Sequence, residues 1–563
     1  MKRFVVLLAA LVLTLCCLFL VACGDDPVTS DDNGQVTTPP ETTTEAKDLQ
    51  FLVNGEFASA YPKPALPEKV YTFTPPKKSC DLLTLVSAQG VLAKTSSDRV
   101  LIQYDNTHKL YTNAIKSVYG ETTSVSSGST LWLFLKNHAS NFKGYILTDL
   151  GDESINVATS LAGIMDALIV TTDNKESAAM IGLTQLIDVT DKDDSWLRKS
   201  EYFAQFNKDI AFMVNSDNPN VLRDYAIFCG AYAFPDTDTS SLFLMNRLNY
   251  LNDNFVILGW NSKIGENGTV KAISNINGSL IPADFANNVA TLASFPLAFA
   301  EQKTDVAISD GKGKHTVCLV MSDGDNLQWA LKDFILSNKW YASSKRGDFP
   351  IAWGIPTSLA DLGTPALIHL YKDMTPNDEF MLQLSGLGYT YPSYWKNKDA
   401  LAETQKQIID LMKRTDTSVF EILDDVKLTQ DVVDKYYSGY FADDQVDGIF
   451  YIDYTRYDSV GGKIFWVNGK PLISARYDLW SELDTIENIA NKVNNAPTDP
   501  TSEDSYSFII LHAWSGLDSN GNFVSGENSM DAVAKMVSLF DEDVEIVMPS
   551  QFVERLTENV QPK

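Results

Sequence analysis

Three acidic clusters in the last 250 or so residues sit where short apolar runs end, the position from which a side chain can reach a substrate. The run Thr316–Met321 is followed by Ser322-Asp323-Gly324-Asp325-Asn326, and the run Ser418–Leu423 by Asp424-Asp425. Gly448–Ile452 leads into Asp453-Tyr454, Lys470–Ala475 into Arg476-Tyr477, and Ser507–Leu511 into His512-Ala513-Trp514. Between them, Glu379–Leu384 is followed by Ser385-Gly386-Leu387-Gly388-Tyr389-Thr390-Tyr391-Pro392. Carboxylates, aromatics, one Arg and one His are the groups of a sugar site: carboxylates serve as acid and as base or nucleophile, and aromatic faces stack on pyranose rings. Asp323, Asp424, Asp425 and Asp453 are therefore the candidate catalytic residues. Asp325, Asn326, Gly386, Gly388, Tyr389, Tyr391, Arg476, His512 and Trp514 are the candidate substrate contacts.

Each has a plainer reading. Asp325 or Asn326 is placed to cap a helix starting near Leu327. On an extended chain Asp424 and Asp425 point in different directions, so at most one faces a pocket. Arg476 has rim aspartates to pair with, and His512 is as well suited to a hydrogen-bonded core position. The loop Asp518–Asn522 has calcium-like oxygen spacing, but Phe523 stands where an EF-hand needs Gly and Ser529 where it needs Glu, which leaves a polar turn.

Positioning these residues requires regular elements. These six runs, with Pro350–Ile355 and Val544–Met548, make eight short β segments, several apolar throughout (VCLVM, FIIL, IFYI), as strands covered on both faces must be. Amphipathic stretches Leu327–Ser337, Asp399–Arg414, Glu482–Asn494 and Met530–Phe540 lie between them. Eight such units over roughly 240 residues predict a C-terminal (β/α)8 TIM-like barrel over 311–563, whose active site would lie at the strand C-termini; an open doubly wound sheet is the alternative. Residues 49–310 read as smaller α/β N-terminal domains, two or three in number, with Tyr145–Asp149 and Asp224–Cys229 among the apolar runs and Phe285–Phe295 helix-like.

The N-terminus sets the compartment. Lys2 and Arg3 precede an apolar run from Phe4 to Val21, and Leu20-Val21-Ala22-Cys23 has the form of a lipobox. Residues 1–23 are read as a lipoprotein signal peptide with Cys23 acylated, and 24–48, rich in Thr, Pro and acid, as a flexible tether. The expectation is an exported lipoprotein anchored on the outer face of a membrane, in a host with one membrane or two. Seventy-three acidic against 45 basic residues, a net charge of −28, exclude nucleic acid and anionic lipid headgroups as partners. Beyond the signal and Cys23 only Cys80, Cys229 and Cys318 remain, without metal or disulfide spacing. No cofactor and no metal are expected, and a monomer is.

The segment Gly386-Leu-Gly-Tyr-Thr-Tyr-Pro392 matches the signature of the GxGYxYP family of putative glycoside hydrolases at all five fixed positions. The resemblance extends to Met321–Asn326, Pro376-Asn377-Asp378 and His512-Ala513-Trp514, and less sharply to the N-terminal region. It implies carbohydrate chemistry without naming a glycan, and together with the N-terminal signal it leads to a surface-anchored glycoside hydrolase as the expectation. The motif also has a physical reading: glycines permit a close approach, Pro392 stiffens the exit, and Tyr389 and Tyr391 share a face if extended. Packing tyrosines at the barrel top is the alternative. Two other functions remain open. A metal-dependent polysaccharide deacetylase would place an acidic motif after its first strand, but its histidine ligands are wanting: His108, His138, His315, His369 and His512 form no HxxxxH-like pair. A non-catalytic glycan-binding lipoprotein would use the same rim for capture alone.

Overall fold

The structure is a computed structural model, and it describes residues 51–120, 124–127, 130–302 and 307–562. The signal peptide, Cys23 and the 24–48 tether lie outside the described residues. Among the described residues no helix is long and apolar enough to cross a membrane.

The N-terminal half carries three small parallel sheets. Lys69–Phe73 lies between Asp98–Ile102 and Ser124–Ser127, and Tyr145–Thr148 lies between Leu168–Thr171 and Gln185–Asp188. The third runs Gly278–Ile281, Phe255–Leu258, Ile210–Met213, Tyr232–Phe234. Two sequence expectations fail here. Asp224–Cys229 is part of a helix, Arg223–Cys229, not a strand, and Phe285–Phe295 contains only the short helix Val289–Leu292. A six-residue apolar run fits a strand or a helix buried all round equally well. Tertiary packing decides, because Gly90 of helix Ser79–Thr95 lets that helix close on the carbonyl of Asp224, where a Cβ would stand 2.4 Å from the oxygen.

The C-terminal half is built on one ten-stranded sheet. Its strands are β1 (His315–Met321), β2 (Ile351–Pro356), β3 (Asp378–Gln383), β4 (Val419–Asp424), β5 (Gly448–Asp453), β6 (Ile464–Val467), β7 (Lys470–Ser474), β8 (Tyr477–Leu479), β9 (Tyr506–Leu511) and β10 (Val544–Ile546). They are ordered β6-β7-β5-β4-β3-β2-β1-β9-β8, with β10 on β1, and all pairings are parallel except β6 with β7. The sheet is curled. Its two flanks meet on one segment: the Ala475 N–H donates to Tyr451 of β5 at 2.9 Å, and the next N–H, Arg476, donates to Phe508 of β9 at 2.8 Å. Phe450 and Phe508, on strands far apart in the path, stack at 4.4 Å. All eight expected β runs are strands, but β10 joins only the lower half of β1, and the helices between strands are uneven.

The pleat sorts side chains into two layers. Val317, Leu319, Trp353, Phe380, Phe420, Ile422, Tyr451 and Ile509 share the core that holds the surrounding helices. Their neighbours Cys318, Val320, Ala352, Met381, Val419, Leu423, Phe450, Ile473 and Ile510 share the other, inside the curl. The C-terminal helix Pro549–Asn559 packs Phe552 against Phe450 and Tyr506, filling the lower end.

Candidate active site

At the upper end of the curl the chain leaves β1 through Ser322 into Asp323, whose φ of +64° turns the backbone sharply. Asn326 caps the following short helix by accepting from Trp329 N–H at 3.2 Å, one of the plain roles expected from the sequence. Gly324 is sterically required: a Cβ there would stand 2.2 Å from the Gly354 backbone, and its N–H donates to Gln383 Oε1 at 2.7 Å. This turn presents Asp323 with its Oδ1 accepting from Trp514 Nε1 at 3.0 Å and its Oδ2 accepting from the Ser322 hydroxyl. A candidate catalytic residue, Asp323, and a candidate substrate contact, Trp514, are therefore brought together. Trp514 remains 36 % exposed, packed edge-on against Trp340.

Around Asp323 gathers a set of carboxyls. Asp325 is 8 % exposed; burial first, then the charges of Asp323 and Glu266, push it well above the usual carboxylate range. Glu421, on the inner face of β4, is fully buried, and neither of its oxygens has a hydrogen-bond partner among the described residues. Burial, then Asp325 and Asp323, raise it strongly, with the Gln383 amide working the other way. Asp478 of β8, whose carboxylate also lacks partners, is raised to about 8 by burial and by Asp458, against the pull of Arg456. His512 stacks on Trp480 at 4.5 Å; burial lowers it while Asp323 and Glu482 oppose. Its Nδ1 is buried without a hydrogen-bond partner among the described residues. Asp323 is the charge these groups share.

The fifth carboxyl comes from the other half of the chain. Glu266 opens the helix Glu266–Ser274, and its Oε1 accepts from Tyr389 Oη–H at 2.8 Å. Burial raises it to about 7, the Tyr389 bond lowers it, and the charge of Asp323 raises it further. Tyr389 is delivered by the glycine motif. Gly388 lies so close to the third N-terminal sheet that a Cβ would meet Leu280 O at 2.7 Å and Ile281 at 2.8 Å; for Gly386 the nearest atoms are Thr390 Cγ2 and Ser279 Oγ. The contact allows an antiparallel bridge in which Leu280 N–H donates to Tyr389 O at 2.9 Å and Tyr389 N–H donates back at 2.6 Å. Thr390 Oγ1 donates to Gly278 O, and Tyr391 N–H to Ser274 Oγ, each at 2.9 Å. The motif is thus a seam that extends the neighbouring sheet and locks the helix bearing Glu266. Tyr391, fully buried, lies 3.3 Å from Tyr389 Oη.

Four sequence candidates are placed elsewhere. Asp424 is enclosed by Ser393 N–H (2.8 Å), Ser393 Oγ (2.7 Å), Tyr437 Oη (2.9 Å) and Asp425 N–H (2.7 Å), and it anchors the loop after the motif. Asp425 pairs with Lys271 and accepts from Asn267 at 3.0 Å. Asp453 accepts from Thr455 N–H at 2.8 Å in its own turn. Arg476 bonds the carbonyls of Tyr506, Gly462 and Glu503. The reason is pleat parity: Asp424 and Asp453 are register partners sharing a face with Ile422 and Tyr451, whereas Glu421 alternates with them and faces inward. The alternation Val419-x-Glu421-x-Leu423 was a readable signal for Glu421. Nothing local marks Glu266.

These buried acids set a pH dependence for the fold. Asp224 and Asp424 are raised to about 6, Glu379 to about 7 and Asp478 to about 8, mainly by burial. A carboxyl raised in the folded state binds its proton more tightly there, so its stabilising contribution is full below about pH 4 and is lost as pH rises through 6 to 8. The melting temperature is expected to be several degrees higher at pH 5 than at pH 8.5; a scanning-calorimetry series showing a flat or rising trend would contradict this assignment.

Residues 313–557 match a family model described as the GxGYxYP putative glycoside hydrolase C-terminal domain, residues 142–206 one described as the GxGYxYP_N second domain, and residues 208–294 one described as the GxGYxYP third domain. A crystal structure of a putative hydrolase from Bacteroides thetaiotaomicron VPI-5482 superposes with a TM-score of 0.77 at 24 % identity, covering 89 % of this chain and 96 % of that one, so the two share a fold. No curated protein matches the chain.

Proposed function

Because the chain belongs to the GxGYxYP family, described as putative glycoside hydrolases, we propose that it hydrolyses a glycosidic bond at the mouth of the curled sheet, with Glu266 as general acid and Asp323 as nucleophile or water-activating base. The observation that carries this reading is the Tyr389-held Glu266 carboxyl, poised near neutral pH, within electrostatic reach of Asp323. A general acid is most effective when its pKa lies near the working pH. A retained proton on one carboxyl beside a second, hydrogen-bonded carboxylate is the division of labour glycosidases use. Glu266 protonates the leaving oxygen, and Asp323, oriented by Trp514 and Ser322, attacks the anomeric carbon or takes a proton from the attacking water. Asp325, whose buried carboxyl holds its proton more tightly than an ordinary carboxylate does, donates to a sugar hydroxyl. Trp514 offers an exposed ring for stacking, and His512, which feels the charge of Asp323, stacks on Trp480.

In this reading the C-terminal half, 311–563, is a (β/α)8-type barrel whose sixth strand is split at Ala475-Arg476, and 49–310 supplies both the docking sheet and the acid. Export, acylation at Cys23 and the tether would hold the site outside the cell, facing glycans, as a monomer.

The test is incubation of the full chain with a library of polysaccharides, followed by detection of new reducing ends and product analysis. Hydrolysis that disappears in Asp323→Asn is the expected result. Binding without products would indicate a glycan-capturing lipoprotein instead, and release of acetate from acetylated glycans a deacetylase.

A further inference from the structure

Beside the mouth a cleft of about 420 Å³ opens, lined among others by Ser393, Tyr394, Asp425, Asp431, Lys435 and Tyr436. That volume is in the range of small-molecule sites. Two tyrosines form its walls. Tyr394 ends the turn Pro392–Tyr394 that directly follows the glycine motif, and Tyr436 belongs to the π-helical turn Val433–Tyr437. The wide turn separates two neighbouring tasks: Tyr437 reaches inward to donate to Asp424 at 2.9 Å, while Lys435 and Tyr436 line the cleft. The wall is therefore fixed before any ligand arrives. Lys398 lies 3.7 Å from the Tyr436 ring centroid and Lys271 5.5 Å from that of Tyr394, bracing the rings.

Two charged groups on the rim form no hydrogen bond and no ion pair among the described residues. Asp431 accepts no side-chain hydrogen bond and forms no ion pair among the described residues, and the contact of Lys435 is the Tyr436 ring, 4.9 Å from its centroid. Asp425 is neutralised by Lys271, and Asp431 and Lys435 cancel, so the cleft suits a neutral ligand rich in hydroxyls, which accept from Lys435 and donate to Asp431. Asp425 at the cleft is tied to Asn267, the residue next to Glu266, at 3.0 Å. Tyr394 continues to the mouth through Tyr391 (5.9 Å) and Tyr389 (5.6 Å), whose hydroxyl holds Glu266.

We infer that this cleft is a distal sugar subsite, taking a neutral pyranose unit of the chain whose scissile bond lies between Glu266 and Asp323. The substrate class is then an oligosaccharide or polysaccharide of several neutral units, not a short glycoside. The inference rests on the hydrolase reading for the place of the scissile bond, but the subsite itself is a binding claim.

The experiment titrates the full chain carrying Asp323→Asn, to prevent turnover, with cello-, malto-, xylo- and manno-oligosaccharides of two to six units, by calorimetry. In that background Tyr394→Ala is expected to weaken the longest bound oligosaccharide on the order of tenfold and leave the disaccharide unchanged, since only the longer chain reaches the cleft. Tyr394→Phe, which keeps the ring, should restore the affinity. An equal loss at every length, no loss at any length, or no binding of any oligosaccharide overturns the subsite. A length-dependent loss with no new reducing ends from the chain bearing Asp323 would leave the subsite standing and overturn the hydrolase reading alone.

Discussion

Glu266→Gln is expected to lower kcat for glycan hydrolysis by roughly 10²- to 10⁴-fold, the range lost when a positioned general acid is removed, with KM changed only a few-fold. Glutamine keeps the shape and still accepts from Tyr389, but it has no proton to give the leaving oxygen. The pH profile provides the sharper readout. A general acid works only while protonated, so kcat/KM of the native chain should fall as pH rises through about 7, where Glu266 titrates. In the variant that limb should vanish. Substrates with a leaving group that departs without protonation, such as dinitrophenyl glycosides, should lose far less than natural glycans. If Glu266→Gln retains native kcat on a natural substrate, the acid lies elsewhere, and Asp478, raised to about 8, becomes the next carboxyl to replace.

The second large effect concerns the seam. Gly388→Val is expected to reduce both stability and activity, because its Cβ would fall 2.7 Å from the Leu280 carbonyl oxygen, a backbone atom that cannot swing away. The bridge between Leu280 and Tyr389 must then open, at a cost of about 1–3 kcal/mol for the overpacking. Withdrawing Tyr389 removes the donor from Glu266 and displaces the carboxyl from Asp323. A misplacement of about 1 Å at a reacting group costs on the order of 10²-fold in rate. The measurement pairs a thermal melt with kcat on the same preparation. A variant that melts lower yet retains full kcat would show that the seam stabilises the fold without positioning the acid. Gly386→Ala should be milder, since its closest contact is the Thr390 methyl, a side-chain atom with some room to give.

The glycine motif shows how far a sequence signature carries. Its residues can be read as a place where backbone approaches something closely, and the structure supplies what that something is: strand Gly278–Ile281, more than a hundred residues earlier in the chain. The tyrosines were legible as sharing a face, but not as a hydrogen-bonded support for a carboxyl that no nearby residue announces.

What the sequence by itself determined follows from local rules. Apolar runs of strand length located eight of the ten strands of the curled sheet on which the site stands, missing Ile464–Val467 and the Tyr477–Leu479 strand that carries Asp478, and the cap at Asn326 could be read from position alone. Asp323 and Trp514 were identifiable as rim residues because they directly follow strands. The tertiary structure alone decided which acids meet. Side-chain direction alternates with each residue along a strand, so one position separates the inward Glu421 from the outward Asp424, and residue type carries no record of that parity. Likewise Glu266 and Asp323 are brought together by the docking of one sheet on another, a long-range contact whose closure depends on backbone approach at Gly388 and on no pattern near either carboxyl.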